Sequence, residues 1–344
     1  MEAIVERANL DWKNLGFALV PTDVNVVYRW RDGVWSAPEF RENFDLNLPM
    51  AATALHYGQA IFEGLKAFEL ADGRVAIFRP DENAARMQFG AKKLLMEAPP
   101  EDLFIEACVE IVRRNRRFVP PYESGAALYL RPFLLGVSAQ VGVRPAVDYL
   151  FAVFATPVGP YFKGAKRTIR LRVDEEVHRA APLGVGDVKA AGNYAAGMRA
   201  VSAAQRDGFD NVIYLDARES RYLDETGATN FYGVTHGSSG PSYVTPKSRS
   251  ILASITNKSL MILAKDLGYK VEHRPVDVAE LGSFSEAGAV GTGAGIAPVG
   301  SIEWRGKTYD YGDVPGPVTQ ALLTELTGIQ RGTLGDRYGW LLPV

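Results

Sequence analysis

The segment PVGPYFKGAK, residues 157–166, is rich in proline and glycine and is the best candidate for a linker between two domains. Its prolines withhold backbone donors and its glycines are unconstrained, so neither a helix nor a strand is expected to run through it. A chain of 344 residues is also longer than one hydrophobic core ordinarily supports. The expectation is a domain over 1–156, a linker over 157–168 and a second domain over 169–344.

Hydrophobic patterning fills in both halves. EGLKAFELADGRVAIFRP, from Glu63, reads as two strands joined around Asp72-Gly73, a tight-hairpin signal. Asp81 is placed to cap a helix reaching about Met96, and Pro99-Pro100 separates it from a second helix over about 102–117. ALYLRPFLLGV and DYLFAVFATPV are apolar runs of strand length. Beyond the linker come a strand, TIRLRV, a helix over about 195–206 stopped by Gly208, and a strand, NVIYLDAR. RYLDETGATNFYGV and PSYVTPKSRS read as strands and turns, followed by a helix from Ser254 to about Leu267. AGAVGTGAGIAPVGSIEWRGK reads as a strand, a glycine-rich turn and a strand. Strands and helices mix in both halves, so the fold class is α/β with α+β character, in two domains.

Charge and cysteine usage remove several function classes. Net charge is −2 with both signs interspersed, which gives no basic field for nucleic acid and no basic amphipathic helix for a membrane surface. The N-terminal stretch MEAIVERANLDWKNLGF lacks both a long apolar run and the acid-poor character of a transit peptide, so a cytoplasmic location is expected. Cys108 is the one cysteine, on a helix face with Phe104, Ile111 and Val112, and reads as core. His56, His178, His236 and His273 are too scattered for a metal site, so no metal is expected.

One lysine stands in unusual company. GVGDVKAAGNYAAGM, residues 184–198, surrounds Lys189 with Gly184, Gly186, Gly192 and Gly197, which permit close approach of something bulky. Most lysines sit on solvated loops, so the position alone decides nothing. An amine whose surroundings lower its pKa adds to carbonyls, however, and pyridoxal 5'-phosphate (PLP) enzymes hold their cofactor in this way, as a Schiff base. PLP demands an amine, a partner for the ring nitrogen, a partner for the ring hydroxyl and an anion site. Glu225 in LDETGATNFYG suits the ring nitrogen, and Tyr194 suits the ring oxygen. The helix start after SRSIL offers N–H groups at Ile255 and Thr256, where the dipole favours an anion. The turn GTGAG, 291–295, adds Thr292, and Arg86 lies one helical turn from Asn83. Each has a bland alternative: a solvated glutamate, a half-buried tyrosine, a common glycine turn without a P-loop ending, an exposed helical arginine.

FEGLKAF (62–68), RPDENAARM (79–87), YLRP (129–132), PVGPYF (157–162), VKAAGNYAAG (188–197), DETGATNFYG (224–233) and GTGAGIAPV (291–299) occur in that order over nearly the whole chain. Together they resemble the branched-chain amino acid aminotransferases of PLP fold type IV. The resemblance implies a smaller N-terminal α/β domain and a larger C-terminal pseudo-barrel α/β domain. It implies that Lys189 forms the Schiff base, Glu225 binds the pyridine nitrogen, Tyr194 the ring oxygen, and Arg86, Ile255, Thr256 and Thr292 the phosphate. Lys66 is then a bystander to the Schiff base. Tyr57, Phe62, Tyr129, Tyr161 and Thr292 fall on positions that bind substrate, and Arg131 on one that approaches the acidic side chain of glutamate. Members are homodimers, so a loop of a second subunit is expected to complete the pocket.

Three departures qualify the resemblance. Asn257 stands where the helix-start motif usually has arginine, which removes a charge near the phosphate. Ala228 replaces a threonine of the mammalian-like branch. AGIAPV replaces the Cys-x-x-Cys pair of mammalian members. The implied activity is transfer of the amino group of leucine, isoleucine or valine to 2-oxoglutarate. D-amino acid transaminases and aminodeoxychorismate lyases share the fold type but lack the N-terminal extension and FEGLKAF. A non-catalytic phosphate-ligand binding protein has no use for both Lys189 and Glu225.

Overall fold

A computed structural model describes residues 6–159, 168–238 and 240–344. In chain order the elements are β1 (Asn25–Arg31), β2 (Val34–Trp35), β3 (Glu39–Arg41), α1 (Thr53–Tyr57), β4 (Ala60–Phe62), β5 (Leu65–Glu69), β6 (Val75–Phe78) and α2 (Pro80–Lys93). Then come α3 (Glu101–Arg114), β7 (Ala127–Gly136), β8 (Tyr149–Val158), β9 (Ile169–Asp174), α4 (Ala191–Arg206), β10 (Asn211–Leu215), β11 (Leu223–Thr226) and β12 (Thr229–Gly237). The chain closes with β13 (Gly240–Pro246), α5 (Ile255–Asp266), β14 (Lys270–Arg274), β15 (Glu286–Gly291), β16 (Gly295–Trp304), β17 (Lys307–Asp310), α6 (Pro317–Gln330) and β18 (Leu341–Pro343).

Two compact units result: Met1–Tyr161 with Val188–Ala191 and Gly328–Val344, and Phe162–Asp187 with Gly192–Thr327. The last seventeen residues group with the first unit, not with the 169–344 stretch, because β18 pairs antiparallel with β6, Leu341 opposite Phe78. Most of the expected linker, 160–167, lies outside the described residues.

The first unit is built on an antiparallel sheet in the order β18-β6-β5-β7-β8-β1-β2, with β3 beside β1 and β4 beside β7. β7 shows why one face is core: Leu128, Leu130 and Leu134 are fully buried while Tyr129, Arg131 and Phe133 alternate onto the other face. Each buried leucine contributes about 1.5–3 kcal/mol. Phe104 of α3 stacks on Phe151 of β8 at 5.8 Å between centroids, and Ala107, Cys108, Ile111 and Val112 are buried along the same helix face. The cap of α2 departs from the sequence reading. The helix opens with Pro80, whose missing N–H costs nothing at that position, and the preceding residue is Arg79 at φ 49°, not Asp81. Arg79 holds this conformation by donating its N–H to the Trp340 carbonyl at 2.7 Å and laying its guanidinium 4.9 Å from the Trp340 ring. The helix ends at Lys93, earlier than Met96, where the chain turns through Leu95 at φ 51°.

The second unit is a closed sheet. β11, β10, β9, β16, β15 and β12 pair in sequence, and β12 pairs again with β11, so the ring shuts. β13 and β14 extend it from β12, and β17 pairs with β16. β9 and β10 run parallel, joined through α4, whose Ala200 and Ala204 pack with Val212 and Tyr214. Leu171, Ile213, Leu223, Phe231, Val244, Ala289 and Val299 fill the core of this unit. Among the described residues no helix is long and apolar enough to cross a membrane.

Candidate active site

In the first unit Lys189 sits on a short segment stitched to β4. Phe62 donates its N–H to the Lys189 carbonyl at 3.1 Å, and Ile61 bridges Ala190 antiparallel. Val188 is buried, and a side chain on Gly90 of α2 would meet its Cγ1 at 3.0 Å. The backbone around Lys189 is thus clamped, while its amine lies 4.8 Å from the Phe62 ring centroid. α4 begins at Ala191, earlier than the expected 195, and carries a half-buried Tyr194 in its first turn.

None of the glycines flanking Lys189 has positive φ, so backbone torsion does not call for them. Gly186 abuts the Ser250 backbone and Gly197 the Tyr214 hydroxyl, each too closely for any side chain. Around Gly192 nothing lies within 4 Å of an added Cβ. Two of the four are therefore small because the protein itself fills the space.

Phe62 is shared with a second cation. The Arg131 guanidinium lies 4.8 Å from its centroid and 5.3 Å from that of Tyr129, to whose hydroxyl it donates at 3.2 Å. The Tyr129 hydroxyl fills the space left by Gly64. Arg131 Nε is buried and makes no hydrogen bond among the described residues. Tyr57 ends α1 partly exposed, its hydroxyl donating to the Val141 carbonyl. Tyr161 lies outside the described residues.

Arg86 is not a solvated helical arginine. Its Nε and Nη2 donate in parallel to Glu63 Oε1 and Oε2 at 2.8 and 2.6 Å, and Asn83 adds a bond to Oε2 at 2.7 Å. The two side chains are 8% and 1% exposed. Glu63, inside FEGLKAF, is not singled out by the sequence, because its partner lies 23 residues away.

In the second unit Glu225 projects from β11 with its side chain 5% exposed, so it is not a solvated turn glutamate. Its Oε1 accepts the Leu252 N–H, and its Oε2 lies 3.3 Å from Arg179 Nε. Arg179 is itself held by the carbonyls of Gly186, at 2.9 Å, and Ser250. Sequence reasoning missed Arg179, which sits in EEVHRAA without any motif around it. At the neighbouring Asp224, burial pushes the carboxyl up, opposed by hydrogen bonds from Ser250 and Ser248.

Ile255 and Thr256 open α5 and are buried. The first-turn N–H groups of a helix have no carbonyl acceptor within it, and the Ser254 side chain takes the one at Asn257, at 3.1 Å. Asn257 faces the interior: its Nδ2 donates to Thr245 Oγ1 at 3.0 Å and its Oδ1 accepts from the Tyr243 hydroxyl at 2.7 Å. The residue that replaces a charge therefore serves the fold. Thr292 lies half-buried in the turn between β15 and β16, and Ala228 is exposed between β11 and β12.

Comparison with known proteins shows the family. The profile of the class IV amino-transferases matches residues 60–302. A branched-chain-amino-acid aminotransferase of Helicobacter pylori is 45% identical over 338 residues, 98% of each chain. The crystal structure of the Escherichia coli branched-chain amino acid aminotransferase matches with a TM-score of 0.78 at 28% identity, over 91% of this chain and 98% of that one. That of the T.th. branched-chain amino acid aminotransferase complexed with N-(5'-phosphopyridoxyl)-L-glutamate matches with a TM-score of 0.76 at 26% identity, over 93% and 99%. The chain belongs to the class IV aminotransferases and, within them, to the branched-chain-amino-acid aminotransferases.

Proposed function

We propose that this protein transfers the amino group of leucine, isoleucine or valine to 2-oxoglutarate with PLP as its cofactor. The observation that carries the reading is Lys189, whose backbone is clamped on β4 while its amine stands over an aromatic ring. The donor set suits PLP: an amine, a buried carboxylate fixed by Arg179, and a helix start whose N–H groups favour an anion. Lys189 would hold the aldehyde, Glu225 the ring nitrogen, Tyr194 the ring oxygen, and Arg86, Ile255, Thr256 and Thr292 the phosphate. Glu63 balances the Arg86 charge, so that residue would contribute as an oriented donor more than as a net cation.

PLP, when bound, supplies an electron-withdrawing ring that makes the substrate α-proton removable. Lys189 Nζ would be the base that takes this proton and later returns one. Glu225, fixed in place by its ion pair with Arg179, would keep a proton on the ring nitrogen. Phe62, Tyr129, Tyr57, Tyr161 and Thr292 are proposed to line the substrate, where aromatic walls favour an aliphatic side chain. Arg131, with a hydrogen-bonding position at Nε still open, is proposed to receive the second carboxylate of glutamate.

The working unit is proposed to be a homodimer. Met50, Leu55, Val141, Val143 and Val147 are 60–90% exposed. Their segments are neighbours, since Ala52 bridges Ala139 and Gln140 bonds the Ala51 carbonyl at 3.1 Å. An apolar patch of this kind marks a covered surface. Cytoplasmic residence is part of the same reading, supported by a chain with one buried cysteine.

A substrate panel with 2-oxoglutarate as acceptor tests the assignment. Leucine, isoleucine and valine should be converted and D-alanine should not. Preference for D-alanine would return the protein to the D-amino acid branch, and a colourless, inactive protein would favour a binding role.

A further inference from the structure

Lys66 lies on β5 directly opposite Tyr129 of β7, so the two side chains share one face of the sheet. Arg131, two residues along β7, is on that face too and donates to the Tyr129 hydroxyl. Phe17 closes the row: the Lys66 amine is 6.0 Å from its ring centroid, and that ring meets Tyr129 edge-on at 6.4 Å. Two cations thus stand on either side of one tyrosine, on the face that also carries Phe62 and the approach of Lys189. Part of Lys66 is open to solvent, yet desolvation of its amine lowers it to about 8.

A transaminase with two kinds of substrate has to bind an aliphatic side chain and a carboxylate at the same place. Every fixed cation added beside Arg131 penalises the first further, because an apolar group would cover another charge. A lysine that sheds its proton easily does not impose that penalty, and it still pairs with a carboxylate when one arrives. We propose that Lys66 is a second specificity-determining residue, pairing with the distal carboxylate of the dicarboxylic substrate beside Arg131. This rests on the aminotransferase reading above.

Among the described residues, the titratable or charged groups on this face include Tyr129 and Arg131 from β7, Lys189 around Phe62, and Arg331, whose guanidinium lies 6.0 Å from the ring of Phe68, two residues along β5 from Lys66; the facing residue from the N-terminal segment, Phe17, is apolar. The test uses the PLP-loaded protein and two unreactive probes, glutarate and 4-methylpentanoate, titrated calorimetrically at pH 7 and pH 9, on wild type, Lys66→Met and Lys66→Arg. In wild type, glutarate should bind more weakly at pH 9 than at pH 7, relative to 4-methylpentanoate. Lys66→Met should weaken glutarate about tenfold at pH 7, as loss of a charge-assisted contact does, and leave 4-methylpentanoate unchanged or tighter. Lys66→Arg keeps Tyr129, Arg131 and Lys189, and should retain glutarate binding while losing the relative pH dependence. Equal effects on the two probes, or a pH dependence that survives in both variants, would overturn the proposal. Failure of wild type to transaminate leucine would instead overturn the functional reading, independently of Lys66.

Discussion

Arg179 and Glu225 form an ion pair at 3.3 Å with both side chains about nineteen-twentieths buried. A carboxylate at that depth needs a partner, and this one has a cation and a backbone N–H. Glu225→Gln keeps the shape and removes the charge proposed to sustain a protonated ring nitrogen. Cofactor should be retained, while abstraction of the α-proton, followed by single-turnover absorbance with leucine, slows by orders of magnitude. Near-normal turnover in the Gln variant would take Glu225 out of the mechanism.

The Arg86–Glu63 pair should matter to stability before chemistry. Removing one partner of a buried pair costs about 3–5 kcal/mol, whereas replacing both with apolar residues costs much less. Urea unfolding of Arg86→Met, Glu63→Leu and the double variant should show each single change costlier than the double. Additive losses would mean that the two residues do not work as a pair.

Asp224 makes stability depend on pH. Its folded carboxyl is raised by burial, so its stabilising contribution is full below the unfolded value and is lost as pH rises through the folded one. The neutral Asp224→Asn variant lacks that loss, and its denaturation midpoint should gain on wild type as pH goes from about 4 to 7. A constant offset across that range would contradict the assignment.

Cys108 is fully buried in α3, and burial pushes its thiol up, away from the reactive thiolate form. Turnover should be unaffected by moderate peroxide and by added thiol, and Cys108→Ser should behave the same. A thiol-reversible loss that disappears in the Ser variant would show that the helix opens.

What the sequence carried well was local. β7 was legible because Leu128 and Leu130 alternate with Tyr129 and Arg131, and the hairpin of β5 and β6 because Asp72-Gly73 lies between two apolar runs. What it carried poorly depended on distant chain. β18 is a strand only because β6 offers an edge to Leu341–Pro343, and Arg79 starts α2 only because Trp340 covers it. α6 went unread because PVTQALLTELTGIQ carries three threonines and a glycine, which weaken the helical signal. Among the candidate site residues the acids and bases were visible as types, but not their partners: nothing local announces that Glu63 meets Arg86 or that Arg179 meets Glu225.

The central claim is that Lys189 is the amine that carries the cofactor. Borohydride reduction of the yellow protein, followed by proteolysis and mass mapping, should place one phosphopyridoxyl group on the peptide containing Lys189, and Lys189→Ala should leave no labelled peptide. A label on Lys66 or any other lysine would contradict the account.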